Sequence, residues 1–426
     1  MTFVAGHCNQ RFNIWFTAGI PTSTPVRMKL LLFACVLFPF FLRAQPEPLA
    51  PIPPMGWMSW NLLADDVHEQ DLKEMVDSMI SSGMVQAGYR YIFIDDGWQG
   101  GRDNRNNILA DPVKFPSGMK ALADHLHERG LKLGIYSDAA QLTCAGYTGS
   151  FGFEEQDART FAAWGIDFLK YDYCHAPEDA DSAKARYKRM ADALRASGRD
   201  IILGICEWGP REPWLWGAQV GGQLWRTTYD IRDKWKRKNE ETWGEGILDI
   251  LDINATLDEY AGPGHWNDAD MLIAGLYGKP GPSGDGGGTG CNDVEYRSQF
   301  SLWAMMSAPL YASNDLRQMN RATRTTLLNE EVIAIDQDPL GKQAVRLLHD
   351  ELWDVFLKPL ANGDQALAIL NRSDAERPFQ MEFSELGLIG DHEIRDLWQH
   401  ASIGVRAGWT GKLQPHETKV FRLKKV

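Results

Sequence analysis

The sequence predicts a (β/α)8 TIM barrel followed by a small antiparallel β-sandwich. Three observations carry this: eight short apolar runs alternating with helical patterns, a switch to closely spaced alternating strands near residue 345, and a length of 426 residues. That length is too great for one ordinary domain and suits a barrel with a smaller partner. Hydrophobic residues make up 44% and charged residues 24%, which allows a packed core and excludes global disorder. A net charge of −13 argues against a nucleic-acid backbone as partner.

The N-terminal residues 1–44 read as an extension and an export signal, with Met28 as an alternative start. Met28-Lys29 precedes an apolar run of 13 residues, Leu30 to Leu42, which contains Pro39 and is short for a membrane span. Arg43-Ala44-Gln45 then leads into a Pro-rich stretch, so cleavage after Ala44 is expected and the protein should be secreted or periplasmic. Leu32-Phe33-Ala34-Cys35 weakly resembles a lipoprotein box, which makes a lipid anchor the alternative. No other segment could cross a bilayer.

The barrel is expected over residues 50–344. Candidate strands lie near 55–60, 89–96, 132–137, 167–173, 201–207, 223–229, 265–271 and 307–312. Between them, Leu72, Met75, Val76, Met79 and Ile80 follow i, i+3, i+4 spacing, with Gly83 as a stop. Met119, Leu122, Ala123 and Leu126 repeat the pattern before Gly130, and Tyr187, Met190, Ala191 and Leu194 repeat it before Gly198. Repeated βα alternation implies a parallel sheet. An open doubly wound sheet is the competing architecture, but no GxGxxG follows a strand. The Gly-rich stretch from Gly278 to Gly290 lacks the Lys-Ser/Thr of a phosphate loop and reads as a flexible surface loop. Residues 345–426 carry short strands near 354–358, 365–369, 378–383, 393–397 and 419–423, with turns such as Asn362-Gly363-Asp364 between them.

A βα barrel places its active site at the C-terminal ends of its strands. Those ends read Trp57-Met58-Ser59-Trp60-Asn61, Asp95-Asp96-Gly97-Trp98, Tyr136-Ser137-Asp138, Lys170-Tyr171-Asp172-Tyr173-Cys174, Cys206-Glu207-Trp208-Gly209, Arg226-Thr227-Thr228-Tyr229-Asp230 and Asn267-Asp268-Ala269-Asp270. Carboxylates, aromatics and two cations therefore converge on one rim. Cleaving a glycosidic bond takes two carboxylates facing each other across it. A single strand-end Asp more often just caps the next helix. Helix capping does not account for the whole set.

These segments resemble glycoside hydrolase family 27, the melibiase-type α-galactosidases. Met55-Gly56-Trp57, Ile94 to Trp98, Lys170-Tyr171-Asp172, Cys206 to Gly209, Trp225-Arg226-Thr227, Asp230-Ile231 and Trp266-Asn267-Asp268 with Asp270-Met271-Leu272 carry the likeness. Ser313 to Arg317 and Asp336 to Gly341 continue it, so it spans roughly 50–345. The resemblance implies release of terminal α-linked galactose by a retaining double displacement, with no cofactor or metal. It makes Asp172 the nucleophile and Asp230 the acid/base. It implies Asp95 and Asp96 as partners of the 4- and 6-hydroxyls, Trp60 and Tyr136 as pocket walls, and Arg226 and Asp270 as ligand-facing residues. Lys170 is expected to keep Asp172 ionised and hold a hydroxyl, or alternatively to act as a Schiff-base lysine. Glu207-Trp208 belongs to the loop that sets specificity at the 2-position, where bulky Trp208 favours a free 2-hydroxyl over an N-acetyl group.

The chain has Cys8, Cys35, Cys144, Cys174, Cys206 and Cys291. The resemblance implies a disulfide between Cys144 and Cys174; two buried thiols are the alternative. Gly97 and Leu62-Leu63 stand where other members carry further cysteines, so Cys206 should be a buried thiol. His125-Leu126-His127 reads as a solvated helix face rather than a metal pair. Asn254-Ala255-Thr256 and Asn371-Arg372-Ser373 are sequons only in a glycosylating host. The rival readings are an α-N-acetylgalactosaminidase or β-L-arabinopyranosidase of the same family, a galactoside-binding barrel without activity, and a metal-dependent barrel hydrolase.

Overall fold

The computed structural model describes residues 48–238, 241, 244–279, 288 and 290–426. The expected export signal and lipoprotein box, and most of the Gly278–Gly290 stretch, lie outside the described residues. Among those described, no helix is long and apolar enough to cross a membrane.

Eight parallel strands form the first sheet: β1 (Met55–Met58), β2 (Tyr91–Phe93), β3 (Lys132–Asp138), β4 (Phe168–Asp172), β5 (Ile202–Cys206), β6 (Leu224–Arg226), β7 (Trp266–Asp268) and β8 (Leu310–Ala312). Each falls on an expected apolar run. Their order is β8-β1-β2-β3-β4-β5-β6-β7. The ends of this ladder meet just beyond β7, where Leu272 bridges Ala312 in parallel and donates its N–H to Tyr311 O at 2.7 Å. The sheet therefore curls into a barrel.

The intervening helices bury the stripes the sequence marks. Helix α1 (Glu69–Ser82) buries Leu72, Met75, Val76 and Met79 and ends at left-handed Gly83, although Ile80 lies outside the buried face. Helix α2 (Gly118–His127) buries Met119, Leu122, Ala123 and Leu126. Helix α3 (Ala180–Ala196) starts at Asp179, whose carboxylate accepts the Ser182 N–H, and buries Tyr187, Met190, Ala191 and Leu194. The His125-His127 reading changes in one respect: His127 Nε2 lies 2.8 Å from Asp167 Oδ2, so it ties α2 to the start of β4.

The barrel interior is layered. Phe93, Phe168 and Tyr311 come from strands that are not neighbours, yet their rings meet with Phe93 centroids 4.9 Å from Phe168 and 4.7 Å from Tyr311. They can touch only through the interior, as one layer from alternate strands. Gly134 in β3 is required beside them, since a Cβ there would collide with the Phe93 ring. Side chains in a strand alternate with period two. The inward sequence of β4 is therefore Phe168, Lys170, Asp172, and that of β2 runs from Phe93 to Asp95. An aromatic layer thus supports a charged one.

The C-terminal strands are β9 (Val345–His349), β10 (Trp353–Pro359), β11 (Gln365–Asn371), β12 (Arg377–Glu382), β13 (His392–Asp396), β14 (Ala401–Arg406), β15 (Gly408–Leu413) and β16 (Thr418–Lys425). They form an antiparallel sheet β9-β10-β11-β16-β13-β14 and a pair β12-β15. Val355, Leu367, Ile369, Phe379, Ile394, Trp409, Leu413, Phe421 and Leu423 fill the space between. Strands β9, β14 and β15 lacked a clear sequence signal. The first two lie at sheet edges and bury no continuous face, and β15 contains Gly408 and Gly411.

The seam between barrel and sandwich is polar as well as apolar. Arg372 pairs with Asp354 and, at 2.7 Å, with Asp252 on the barrel side, while Arg346 reaches Asp252 at 2.8 Å. Lys358 of β10 donates to Ala304 O and Ser307 Oγ at 3.0 and 2.7 Å.

Candidate active site

At the C-terminal rim a cavity of about 570 Å³ is lined by Trp60, Asp65, Asp95, Asp96, Tyr136, Cys144, Ala145, Lys170, Asp172, Cys174, Trp208, Tyr229, Asp230, Arg232 and Met271. Its size is that of a small-molecule site. Most of the expected site residues meet here.

Asp95 and Asp96 form the inner wall. Asp95 Oδ2 lies 2.7 Å from Lys170 Nζ, and its Oδ1 accepts the Asp96 N–H at 2.9 Å. Asp96 accepts N–H groups from Gly97 and Ala145, both at 2.9 Å. Burial pushes the Asp96 carboxyl up to about 6, against these hydrogen bonds. The sharp turn behind the pair needs Gly97: its φ is +101°, and a Cβ would sit 2.5 Å from Asp65 O.

Asp172 ends β4 and is buried, with Oδ1 accepting its neighbour Tyr173 N–H at 2.9 Å. Burial pushes its carboxyl up to about 7, while Lys170 pulls the other way. Burial works against the Lys170 charge, but the anions around it, Asp95 foremost and then Asp172 and Asp230 among others, together outweigh it and hold the ammonium well above the ordinary lysine range. A Schiff base needs a neutral amine, so Lys170 is a charged partner of carboxylates. Its ammonium also sits 5.3 Å over the Tyr136 ring.

Cys144 and Cys174 are joined in a disulfide on the cavity wall, with Cα atoms 5.1 Å apart. Behind it lies Asp138, fully buried and paired in register with Asp172. Asp138 accepts the Cys174 N–H at 3.0 Å, and burial next to Asp172 pushes its carboxyl up to about 9. Asp138, Cys144, Asp172 and Cys174 lie close enough to suggest a metal set, but disulfide sulfurs are not thiolate ligands. Cys206 and Cys291 are buried free thiols.

Asp230 is partly exposed in the cavity wall, and its Oδ1 lies 3.0 Å from Arg226 Nη2. Three expected ligand-facing residues do not line the cavity. Arg226 is buried behind it, bridging Asp230 and Asp270 at 3.0 Å each. Asp270 accepts the Ile231 N–H at 2.8 Å and so clamps the chain next to Asp230. Glu207 turns into its own loop, accepting Gly209 N–H at 3.1 Å and pairing with Arg211 at 3.0 Å; burial pushes its carboxyl up to about 7. The loop it organises presents Trp208, whose backbone is left-handed at φ 61°. Asp270 at φ 70° and His175 at φ 54° share that conformation, each two or three residues beyond a barrel strand.

Sequence reasoning did not single out Asp65, Ala145, Tyr229, Arg232 and Met271 as lining residues. Tyr229, Arg232 and Met271 stand beside Asp230 or Asp270, and that proximity was the available signal. Asp65 arrives through a loop held by Tyr147, whose hydroxyl donates to Asp65 at 3.0 Å.

Two family models match the chain: that described as Alpha galactosidase A over residues 52–338, and that described as Alpha galactosidase C-terminal beta sandwich domain over residues 350–423. The chain belongs to the melibiase-type α-galactosidase family. It is similar to Alpha-galactosidase A of Cellvibrio japonicus, 44% identical over 391 residues, covering 88% of this chain and 93% of that one. The crystal structure of α-galactosidase I from Mortierella vinacea superposes with a TM-score of 0.83 at 32% identity, over 89% of this chain and 99% of that one. A Saccharomyces cerevisiae α-galactosidase solved with raffinose matches at 29% identity and a TM-score of 0.81, covering 89% and 98%. The protein is a retaining α-galactoside hydrolase.

Proposed function

We propose that Asp172 is the nucleophile and Asp230 the general acid/base of the double displacement. One observation carries this: a single cavity presents the buried carboxylate of Asp172, whose charge Lys170 favours, and a second, partly exposed carboxylate, Asp230, held by Arg226. In the first step an Asp172 oxygen attacks the anomeric carbon. The bond to the leaving oxygen breaks as Asp230 gives that oxygen its proton. In the second step Asp230 takes a proton from water, the water oxygen attacks the same carbon, and the bond to Asp172 breaks. Two inversions leave the configuration retained.

Asp95 and Asp96, with Lys170 paired to Asp95, offer acceptors and a donor to the 4- and 6-hydroxyls of galactose. Trp60 and Tyr136 wall the ring. Trp208 fills the space a 2-acetamido group would occupy, which favours galactose over N-acetylgalactosamine. Arg226, Asp270 and Glu207 act through others: the first two place Asp230, and Glu207 places Trp208. The N-terminal sequence supports export, with processing after Ala44; cell fractionation and N-terminal sequencing of the product would test it, and an unprocessed cytoplasmic product would overturn it.

The test of the site is hydrolysis of nitrophenyl α-galactoside by wild type and Asp172→Ala, with the α-N-acetylgalactosaminide and β-L-arabinopyranoside in parallel. Galactoside turnover should fall by about four orders of magnitude or more in the variant. Residual activity near wild type would remove Asp172 from the mechanism. Preference for the N-acetyl substrate would overturn the role of Trp208.

A further inference from the structure

Asp138 ends β3 as Asp172 ends β4, and the two are paired in register. Asp138 is fully buried and does not line the cavity; the disulfide in front of it does. One carboxylate oxygen of Asp138, one of Asp172 and the two disulfide sulfurs all lie within 4.8 Å of one another. Asp138 Oδ1 accepts the Ala140 N–H at 2.8 Å, and Oδ2 accepts the Cys174 N–H at 3.0 Å. Cys144 Sγ stands 3.9 Å from the same Oδ2, but a disulfide sulfur has no hydrogen to give. Among the described residues no cation pairs with Asp138. Asp96 from the end of β2 and Asp172 from β4 both oppose a negative charge there. Lys170 is paired with Asp95, and Arg186 of α3 is bound to Ala139 O and lies over the Phe151 ring. Tyr136, Tyr171 and Tyr187 are neutral, held far above the ordinary tyrosine range by burial.

Two buried carboxylates this close do not both ionise readily, so the pair keeps one proton over a wide range of pH. Proton and charge are not shared evenly. Lys170 favours the charge on Asp172, while Asp138 has only N–H groups to support one. We propose that Asp138 is a positioning residue: it carries the proton of this pair as a neutral acid and so keeps the charge on Asp172. The proposal rests on the assignment of Asp172 as nucleophile. Burial beside Asp172 lifts Asp138 to about 9, above the value of about 7 for Asp172, which agrees in direction. A neutral carboxyl has an O–H to donate. Among the four atoms that meet here, the Asp172 oxygen is the anion that this dipole favours. A neutral Asp138 therefore stabilises the charged nucleophile, whereas an ionised one would oppose it.

The experiment records kcat/KM against pH on nitrophenyl α-galactoside for wild type, Asp138→Asn and Asp138→Leu, with infrared titration of the carboxyl C=O stretch. Asp138→Asn keeps a neutral donor, so the acid limb should stay within roughly 0.3 pH units of wild type. The height of its profile should fall roughly three-fold, because one amide oxygen serves only one of the two N–H groups. Asp138→Leu has no donor, and its limb should move up by roughly half to one pH unit. A limb that moves down in both variants, the result of removing a negative neighbour, overturns the proposal. So does a limb that stays put in Asp138→Leu. At about pH 8, between the values for Asp172 and Asp138, wild type should show a protonated carboxyl band that Asp138→Asn lacks. Absence of that difference overturns the proposal even where Asp138→Leu does not fold. Wild-type turnover in Asp172→Ala overturns the catalytic reading and this proposal with it; lost turnover there, with a downward limb in the Asp138 variants, overturns the proposal alone.

Discussion

The barrel mouth and the seam beneath the β-sandwich both bury carboxylates, and they treat them in opposite ways. At the mouth, Asp95, Asp96, Asp138 and Asp172 crowd together, with Lys170 the cation paired to Asp95. Burial there lifts Asp96 to about 6, Asp172 to about 7 and Asp138 to about 9. At the seam, burial also pushes Asp252 upward, but Arg372 and Arg346 outweigh it and hold the carboxyl below its ordinary value. The same side chain is poised to gain or lose a proton in one place and locked as an anion in the other. The difference lies in the ratio of cations to carboxylates and in the partial exposure of Asp252, whose side chain is 37% exposed.

The comparison can be broken at either end, and the largest effect on turnover lies at the mouth. Asp230→Ala should lower kcat on raffinose about 10²- to 10⁴-fold, the range for losing a general acid. The loss on α-galactosyl fluoride, which leaves without a proton, should be much smaller in its first step. Equal losses would make Asp230 a structural residue.

Lys170→Met comes next. On the proposed roles Asp172 must be ionised to attack, and a carboxyl raised to about 7 is protonated below that pH. The kcat/KM profile should therefore fall on the acid side from about pH 7. Removing the Lys170 charge, which pulls Asp172 down, should move that limb to higher pH. A limb that stays put would show that Lys170 only binds substrate.

The disulfide should matter more for stability than for chemistry. It closes a loop of 30 residues, so Cys144→Ser with Cys174→Ser should lose roughly 3–4 kcal/mol of unfolding free energy on the chain-entropy model. Denaturant titration would read this, and a loss below about 1 kcal/mol would contradict that model here. Smallest on turnover is Arg372→Met at the seam. Leaving Asp354 short of a cation should cost about 3 kcal/mol of stability, visible as a lower Tm, with kcat/KM at 25 °C within about two-fold of wild type. A collapse of kcat without a fall in Tm would erase the distinction between the two regions.

The eight barrel strands and the residues at their ends were legible because buried strands are apolar runs and the barrel puts chemistry at their C-termini. The inward set of Asp95, Lys170 and Asp172 follows from period-two alternation. That rule stops where the strand stops. Trp208 and Asp270 adopt left-handed backbones just past β5 and β7, which redirects the chain. So Glu207 and Asp270 were recognisable as rim residues, while their turn away from the cavity was not; Arg226, inside β6, was legible as a rim cation but not as the bridge between Asp230 and Asp270. The edge strands β9 and β14 were hidden for a different reason: with no continuous buried face, they leave no apolar pattern to read.

The left-handed residues at the rim also bear on how this enzyme would respond to selection. A non-glycine residue in that conformation is disfavoured by roughly 1 kcal/mol or more. Replacing Trp208 or Asp270 by glycine would relieve it, and each replacement would remove a side chain that shapes the pocket or steadies Asp230. Laboratory evolution for heat resistance and for turnover would therefore pull these positions in opposite directions. Lineages selected on both traits together would collect their stabilising substitutions in the sandwich and on the outer helices, and leave the barrel mouth as it is.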